Sequence, residues 1–286
     1  MKVIHKHFPQ QQTLKGQPIK KTTKFHSYFK KLNIKPKKLS LKLLAKIQKK
    51  HLATFSFNNI AVLLDRPISL DIDDILDKIV TQNLGGYCFE HNKLMHDALL
   101  SLGFDVRIAI ARVLNNLKVD SPRTHRVTLV KLKGKEYLID VGFGAMTPTL
   151  PLEFSTKEII NNDYKISQNS SKDFVLEIQK KDDFFTLYKF NTVTYLEADC
   201  IMGNFYSCSH PKAVFVNNFV VSKKMKHKTL SLRNNCYHKI SKNNTKRSNI
   251  MSAKQLNKIL LNDFNINLSK KKVTILFENA EIFRNR

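Results

Sequence analysis

The order of apolar and polar positions divides this chain into a helical first part, an alternating middle and a mixed end. Ser40 is placed to cap a helix whose apolar positions Leu44, Ala45 and Ile47 sit among lysines. Ser69 precedes a clearer pattern, with Ile72, Ile75, Leu76, Ile79 and Val80 at i, i+3, i+4, i+7 and i+8. Asp71, Asp73 and Asp74 fall in its first turn, where the helix dipole favours negative charge. A third helix is predicted from about Cys88 to Leu102, with Met95, Ala98, Leu99 and Leu102 turned inward and Gly103 as its stop.

After Gly103 the period becomes two. Val106, Ile108 and Ile110 alternate, and Val127, Leu129 and Leu132 lead through Lys133-Gly134 into Tyr137-Leu138-Ile139, which predicts a hairpin. A second hairpin is predicted where Phe174–Ile178 and Phe185–Tyr188 flank Lys180-Lys181-Asp182-Asp183. The tail mixes predicted strands, Thr229–Leu232 and Val273–Leu276, with a helix near Ser252–Phe264 that Ser252 is placed to cap. No repeat period is visible. Helices, then antiparallel strands, then a mixed end read as α+β in sequential blocks.

Composition adds charge. The 286 residues carry 49 Lys+Arg against 23 Asp+Glu, a net +26. The excess is uneven: residues 1–64 hold fifteen Lys and no acid, and Cys200–Asn262 is also acid-free. A polyanionic small ligand, nucleic acid and compositional drift each account for it. With forty Lys to nine Arg, the residue that reads guanine and grips phosphate bidentately is scarce, which argues against nucleic acid. No apolar run approaches the roughly 18 residues of a membrane span, so no membrane partner is expected. Four scattered cysteines and an N-terminus without an apolar leader point to a reducing cytoplasm. Residues 1–23 hold two prolines, no acid and no period, and are expected to form a loose basic extension.

Half of the eight glycines sit in two short segments, Gly85-Gly86-Tyr87-Cys88-Phe89-Glu90 and Asp140-Val141-Gly142-Phe143-Gly144. The first places Cys88 at a helix N-terminus, where the dipole and oriented N–H groups favour thiolate and are expected to lower the thiol's pKa. A buried, inert cysteine is the competing reading. In the first hairpin, a two- or four-residue loop makes paired positions sum to 267, so His125 faces Gly142 and Asp140 faces Val127. His125 and Asp140 are then diagonal neighbours on one face, in reach of a side-chain hydrogen bond. An odd loop would put them on opposite faces. A histidine oriented by a carboxylate needs only a nucleophile, and Cys88 is the obvious partner.

These residues carry a resemblance. The run Leu84-Gly85-Gly86-Tyr87-Cys88-Phe89-Glu90-His91-Asn92 resembles the RGGYCFEQN signature of arylamine N-acetyltransferases. Thr124-His125 and Leu138–Gly144 are similar to that family's TH and VDVGFG segments, in the same order and at similar spacing. Agreement runs from about Phe25 through Asn204–Pro211 and more loosely to Leu268. The resemblance implies a papain-like Cys-His-Asp triad of Cys88, His125 and Asp140. It divides the chain into the extension 1–23, a helical domain 24–103, an antiparallel β-barrel domain 104–212 and an α/β lid 213–286. It implies ping-pong transfer of acetyl from acetyl-coenzyme A to an aromatic amine or hydrazine, a role in xenobiotic metabolism, and no metal. Thr124 and Phe143 would shape the acceptor pocket. Tyr206 and Lys212 would lie where the family contacts the cofactor, although Ser or Thr is usual at the latter position.

The departures are informative. The family's Arg before Gly-Gly is Leu84 here, and the Glu of its PFEN segment is Asn58. These two are expected to form an ion pair in the family, and loss of both leaves no unpaired charge. The family's Gln is His91, and Arg126 replaces a usually apolar residue, facing away from His125 by alternation. A metal site of Cys88, His91 and His96 is disfavoured, because His91 and His96 are five apart on a helix and point differently. A Cys-His-Asp thiol hydrolase and a basic polyanion-binding protein without catalysis are the alternatives.

Overall fold

Ser40 Oγ accepts the Leu43 N–H at 3.2 Å and starts the helix Leu41–Thr54, as its sequence predicts. This structure, a computed structural model, describes residues 24–117 and 120–284; the expected extension 1–23 lies outside the described residues. The next helical stretch begins one cap later than Ser69 suggests. Asp71 is the N-cap of Ile72–Ile75, accepting the Asp73 N–H at 2.7 Å, while Ser69 Oγ accepts the Asp71 N–H at 3.0 Å. From Leu76 to Thr81 it continues with π pitch. The helix Cys88–Ser101 follows, and Gly103 (φ +93°) ends it in the left-handed conformation. Ile47, Ile79, Leu94, Met95 and Leu99 bury together with Val130 and Ile139, fastening the helices to the strands.

Eight antiparallel strands follow in the order Leu152–Phe154, Lys135–Ile139, Arg123–Leu132, Asp105–Val113, Asp183–Phe190, Phe174–Lys180, Tyr164–Gln168 and Ile159–Asn161. The Asn161 side chain laces the two ends together. Its Oδ1 accepts the Glu153 N–H at 3.2 Å and its Nδ2 donates to the Glu153 carbonyl at 3.1 Å, nearly closing a barrel. Alternation decides which side each residue faces. Ala109, Ala111, Val127, Leu129 and Leu138 fill the barrel interior, whereas Val130, Tyr137 and Ile139 turn to the helices.

A second antiparallel sheet has the order Phe57–Asn58, Val220–Lys224, Lys228–Arg233, Cys236–Ser241, Thr245–Asn249, so its first strand comes from the helical part of the chain. Helices Ala253–Asn262 and Lys270–Arg284 cover one face. Ser252 caps the former as expected, accepting the Gln255 N–H at 3.2 Å. Val273–Leu276 is not a strand but part of the latter. Val273, Leu276, Phe277 and Ala280 follow the i, i+3, i+4, i+7 spacing, and that stripe belongs to one buried cluster with Leu230 and Leu232. Three consecutive β-favouring residues, Val273-Thr274-Ile275, favour a strand locally; the longer period decides.

Candidate active site

The first hairpin has the two-residue turn Lys133-Gly134, both with positive φ (52° and 77°), the conformation that matches strand twist. Pairs therefore sum as expected, ending at Thr128↔Ile139. Just past the ladder, His125 Nε2 lies 2.8 Å from Asp140 Oδ2, both residues buried. Tyr188 O–H donates to the same Oδ2 at 3.0 Å, while Asn92 Nδ2 (3.1 Å) and the Gly142 N–H (2.8 Å) donate to Oδ1. Burial by itself raises the Asp140 pKa; the His125 charge and these hydrogen bonds outweigh it and hold the carboxyl below the usual range. Asp140 is thus an ionised group in a dry site, and it fixes the His125 ring with Nε2 as the donor.

Gly85 (φ +67°) packs where a Cβ would collide with the Ser56 carbonyl, and this tight turn delivers Cys88 to the helix start. The Cys88 thiol is buried and 3.6 Å from the Thr124 carbonyl, and the Phe89 and Arg126 N–H groups meet its sulfur. Gly142 packs on its Cα. The structure therefore brings Cys88, the His125 strand and the Asp140 loop together. The expected acidity of the thiol is corrected. Burial, then the charge of Asp140, push Cys88 well above the ordinary thiol range, and the two N–H groups only partly offset this. A helix terminus is legible in sequence, but the desolvation that overrides it is not.

The departures from the family pattern find local partners. Asn58 Nδ2 donates to the Leu84 carbonyl at 2.9 Å, so a neutral bond joins the positions where the family is expected to have an ion pair. Glu90, buried, accepts Lys78 Nζ at 2.6 Å and the Tyr87 N–H at 3.1 Å. His91 joins a buried chain: its Nε2 meets the Ser56 carbonyl (3.2 Å), its Nδ1 meets His51 Nε2 (2.8 Å), and His51 Nδ1 meets Tyr28 O–H (2.9 Å). The carbonyl accepts only, which fixes every proton along the chain with Tyr28 donating inward. Arg126 does face away from His125, and its buried guanidinium forks onto Glu197 at 2.8 and 2.9 Å.

The other sequence candidates sit as follows. Thr124 is half-buried, and the Phe143 ring stands edge-on to His125 at 4.9 Å. Tyr206 lies within the helix Glu197–Ser209 and stacks on His210 at 4.4 Å. Lys212 is exposed just beyond that helix, its N–H donating to His210 Nδ1 at 3.2 Å. Cys88, His91 and His96 do not converge on a metal, since His91 is spent on His51 and Ser56 and His96 on Asp97 (2.8 Å). His96, Asp97 and Glu197 do converge, but Lys93 reaches both carboxylates at 3.0 and 3.1 Å and Arg126 forks onto Glu197, forming an ion-pair network. Sequence reasoning missed Gln48, Lys78, Tyr188 and Glu197; three of them meet partners 100, 48 and 71 residues away, and Lys78 reaches Glu90 twelve residues on, across the turn before the Cys88 helix.

This α+β chain gathers a thiol at a helix start beside a carboxylate-oriented histidine on a barrel strand, the arrangement of a nucleophile, a base and its orienting group. Among families, a model described as N-acetyltransferase matches residues 40–273, and the chain belongs to that family. It is 32% identical to "Arylamine N-acetyltransferase / N-hydroxyarylamine O-acetyltransferase" of Salmonella typhimurium over 70% of this chain and 73% of that protein. It is 35% identical to the arylamine N-acetyltransferase of Escherichia coli over 60% of this chain, which spans only 62% of that relative. Its fold is similar to the solved Salmonella typhimurium enzyme, with TM-score 0.84 at 26% identity, covering 90% of this chain and 98% of that one. The Mycobacterium marinum arylamine N-acetyltransferase solved in complex with CoA superposes with TM-score 0.83 at 26% identity, covering 89% and 98%.

Proposed function

We propose that this chain is an arylamine N-acetyltransferase that moves an acetyl group from acetyl-coenzyme A to a small aromatic amine or hydrazine through a thioester on Cys88. The observation that carries this reading is the 2.8 Å His125–Asp140 bond, on a strand whose Thr124 carbonyl and Arg126 N–H both meet the Cys88 sulfur. In the first half-reaction His125 Nδ1 takes the Cys88 proton as sulfur attacks the acetyl carbonyl. The donor's C–S bond breaks, and the departing thiolate takes the proton back. In the second half-reaction the amine attacks the Cys88 thioester, His125 accepts the amine proton, and the proton returns to the Cys88 sulfur. Asp140 stabilises the imidazolium formed in each half. Burial raises the Cys88 pKa, so handing the proton to His125 is what makes the sulfur nucleophilic.

Supporting the donor assignment, the five strands of the second sheet contain no Asp or Glu, which suits a polyphosphorylated substrate. Tyr206 and Lys212 are the residues proposed to contact it, and Thr124 and Phe143 those proposed to line the acceptor site. Purified protein assayed with acetyl-coenzyme A against a panel of arylamines and hydrazines should give acetylated product and free coenzyme A in equal amounts. Release of coenzyme A without acetylated amine would instead indicate the thiol hydrolase.

A further inference from the structure

Gln48 projects from the helix Leu41–Thr54 and is completely buried. Its Nε2 lies 3.3 Å from the Asp140 carbonyl, 2.8 Å from that of Pro148 and 3.2 Å from that of Leu150. Its Oε1 is buried with no partner. The opposite amide orientation would set that oxygen against three carbonyls, so the side chain has one tolerable setting. The carbonyls need the donor because the pairing of strand Lys135–Ile139 with its neighbour Arg123–Leu132 stops at Ile139, and the chain rejoins the sheet only at Leu152. The intervening loop carries the Asp140 carboxylate, the Gly142 contact with Cys88 and the Phe143 ring beside His125.

We infer that Gln48 is a positioning residue that ties both ends of the Asp140–Leu150 loop to the helical layer, and acts on acetyl transfer through Asp140 and Phe143. The inference rests on the catalytic reading of Cys88, His125 and Asp140. One amide spans the loop's entry and exit, so its loss slackens both ends, while Asn92, Tyr164 and Lys224 still hold the Val141 N–H and the Met146 and Thr147 carbonyls. A shift of about 1 Å there misaligns His125 at a cost of roughly ten- to a hundredfold in rate.

The test is single-turnover acylation of Cys88 by p-nitrophenyl acetate in the full-length protein, from mildly acidic to mildly alkaline pH. Gln48→Met keeps the shape and removes the donors; its acylation rate should fall roughly ten- to a hundredfold with little change in KM. Gln48→Glu separates positioning from packing. An ionised carboxylate only accepts, whereas the protonated acid offers one O–H, so its rate relative to wild type should recover as pH falls. Gln48→Met should show no such recovery, and if it fails to fold the pH trend of Gln48→Glu decides alone. Wild-type rates in both variants, or a Gln48→Glu defect equal at every pH, would overturn the inference. Absence of acylation in the wild type itself would overturn the catalytic reading beneath it.

Discussion

A Cβ placed on Gly142 would lie 2.7 Å from the Cα of Cys88, so the Asp140 loop and the thiol helix are in backbone contact. The same Cβ would meet Asn92 Nδ2 at 2.7 Å, the atom that donates to Asp140. Gly142→Ala must therefore push the loop, the helix or both. Activity should drop roughly a hundredfold. Gly134→Ala is the control: nothing lies within 4 Å of its Cβ, and only its φ of +77° is strained. It should cost about 1–2 kcal/mol and leave turnover intact. Steady-state kinetics and thermal melts of the two variants check this.

Asp140→Asn should retain the fold but cripple turnover. An amide in place of the carboxylate removes the charge that steadies the imidazolium and disturbs the His125 tautomer, an effect worth on the order of 10⁴ in kcat in a comparable triad. Retention of substantial activity would show that Tyr188 and Asn92 hold His125 well enough without the charge.

The His51–His91 pair makes the protein sensitive to acid. Burial holds His51 well below its ordinary pKa, and burial lowers His91 to about 4. Both are neutral in the folded state, while the unfolded chain takes up protons near pH 6.5. The folded state therefore binds fewer protons across the window from about 6.5 to about 4, and stability is lost as pH falls through it. His91→Gln should flatten that slope in urea melts at stepped pH. An unchanged slope would mean other groups govern acid lability.

Arg126 and Glu197 test the cost of breaking a buried pair. Glu197→Ala leaves a guanidinium that is 0% exposed without its partner. It should destabilise by about 3 kcal/mol, the low end of the usual range because Glu197 itself is 43% exposed and water can enter. Adding Arg126→Leu should restore most of the loss. Thermal or urea unfolding of the two proteins distinguishes this from a simple loss of helix contacts.

Much of this arrangement was legible in the chain, and the rest fails for physical reasons. The turn at Lys133-Gly134 sets the hairpin register locally, so the His125–Asp140 contact follows from counting. Ser40 and Ser252 act as caps because capping is a four-residue event. The raised pKa of Cys88 is not legible in the chain, because the helix dipole is local and desolvation is global. Val273–Leu276 is ambiguous in sequence because so short a run fits either period. Gln48 with Pro148, Tyr188 with Asp140 and Arg126 with Glu197 are separated by 100, 48 and 71 residues. Only the folded backbone brings them together.

If the basic, acid-free segment after Cys200 attracts the donor, Lys212→Glu should raise the KM for acetyl-coenzyme A and leave the amine KM alone. The effect should shrink with salt, since surface attraction is screened over about 8 Å at physiological ionic strength. A KM unmoved at both low and high salt would attribute the basic composition to drift.

The central claim is that acetyl passes through the Cys88 sulfur. Protein incubated with acetyl-coenzyme A and no acceptor, then digested and analysed by mass spectrometry, should carry one acetyl group, on Cys88, with an equal amount of coenzyme A released. Adding an arylamine should discharge it, and Cys88→Ala should acquire none. Amine acetylation that proceeds with no acetyl ever found on Cys88, or that survives Cys88→Ala, would contradict the account.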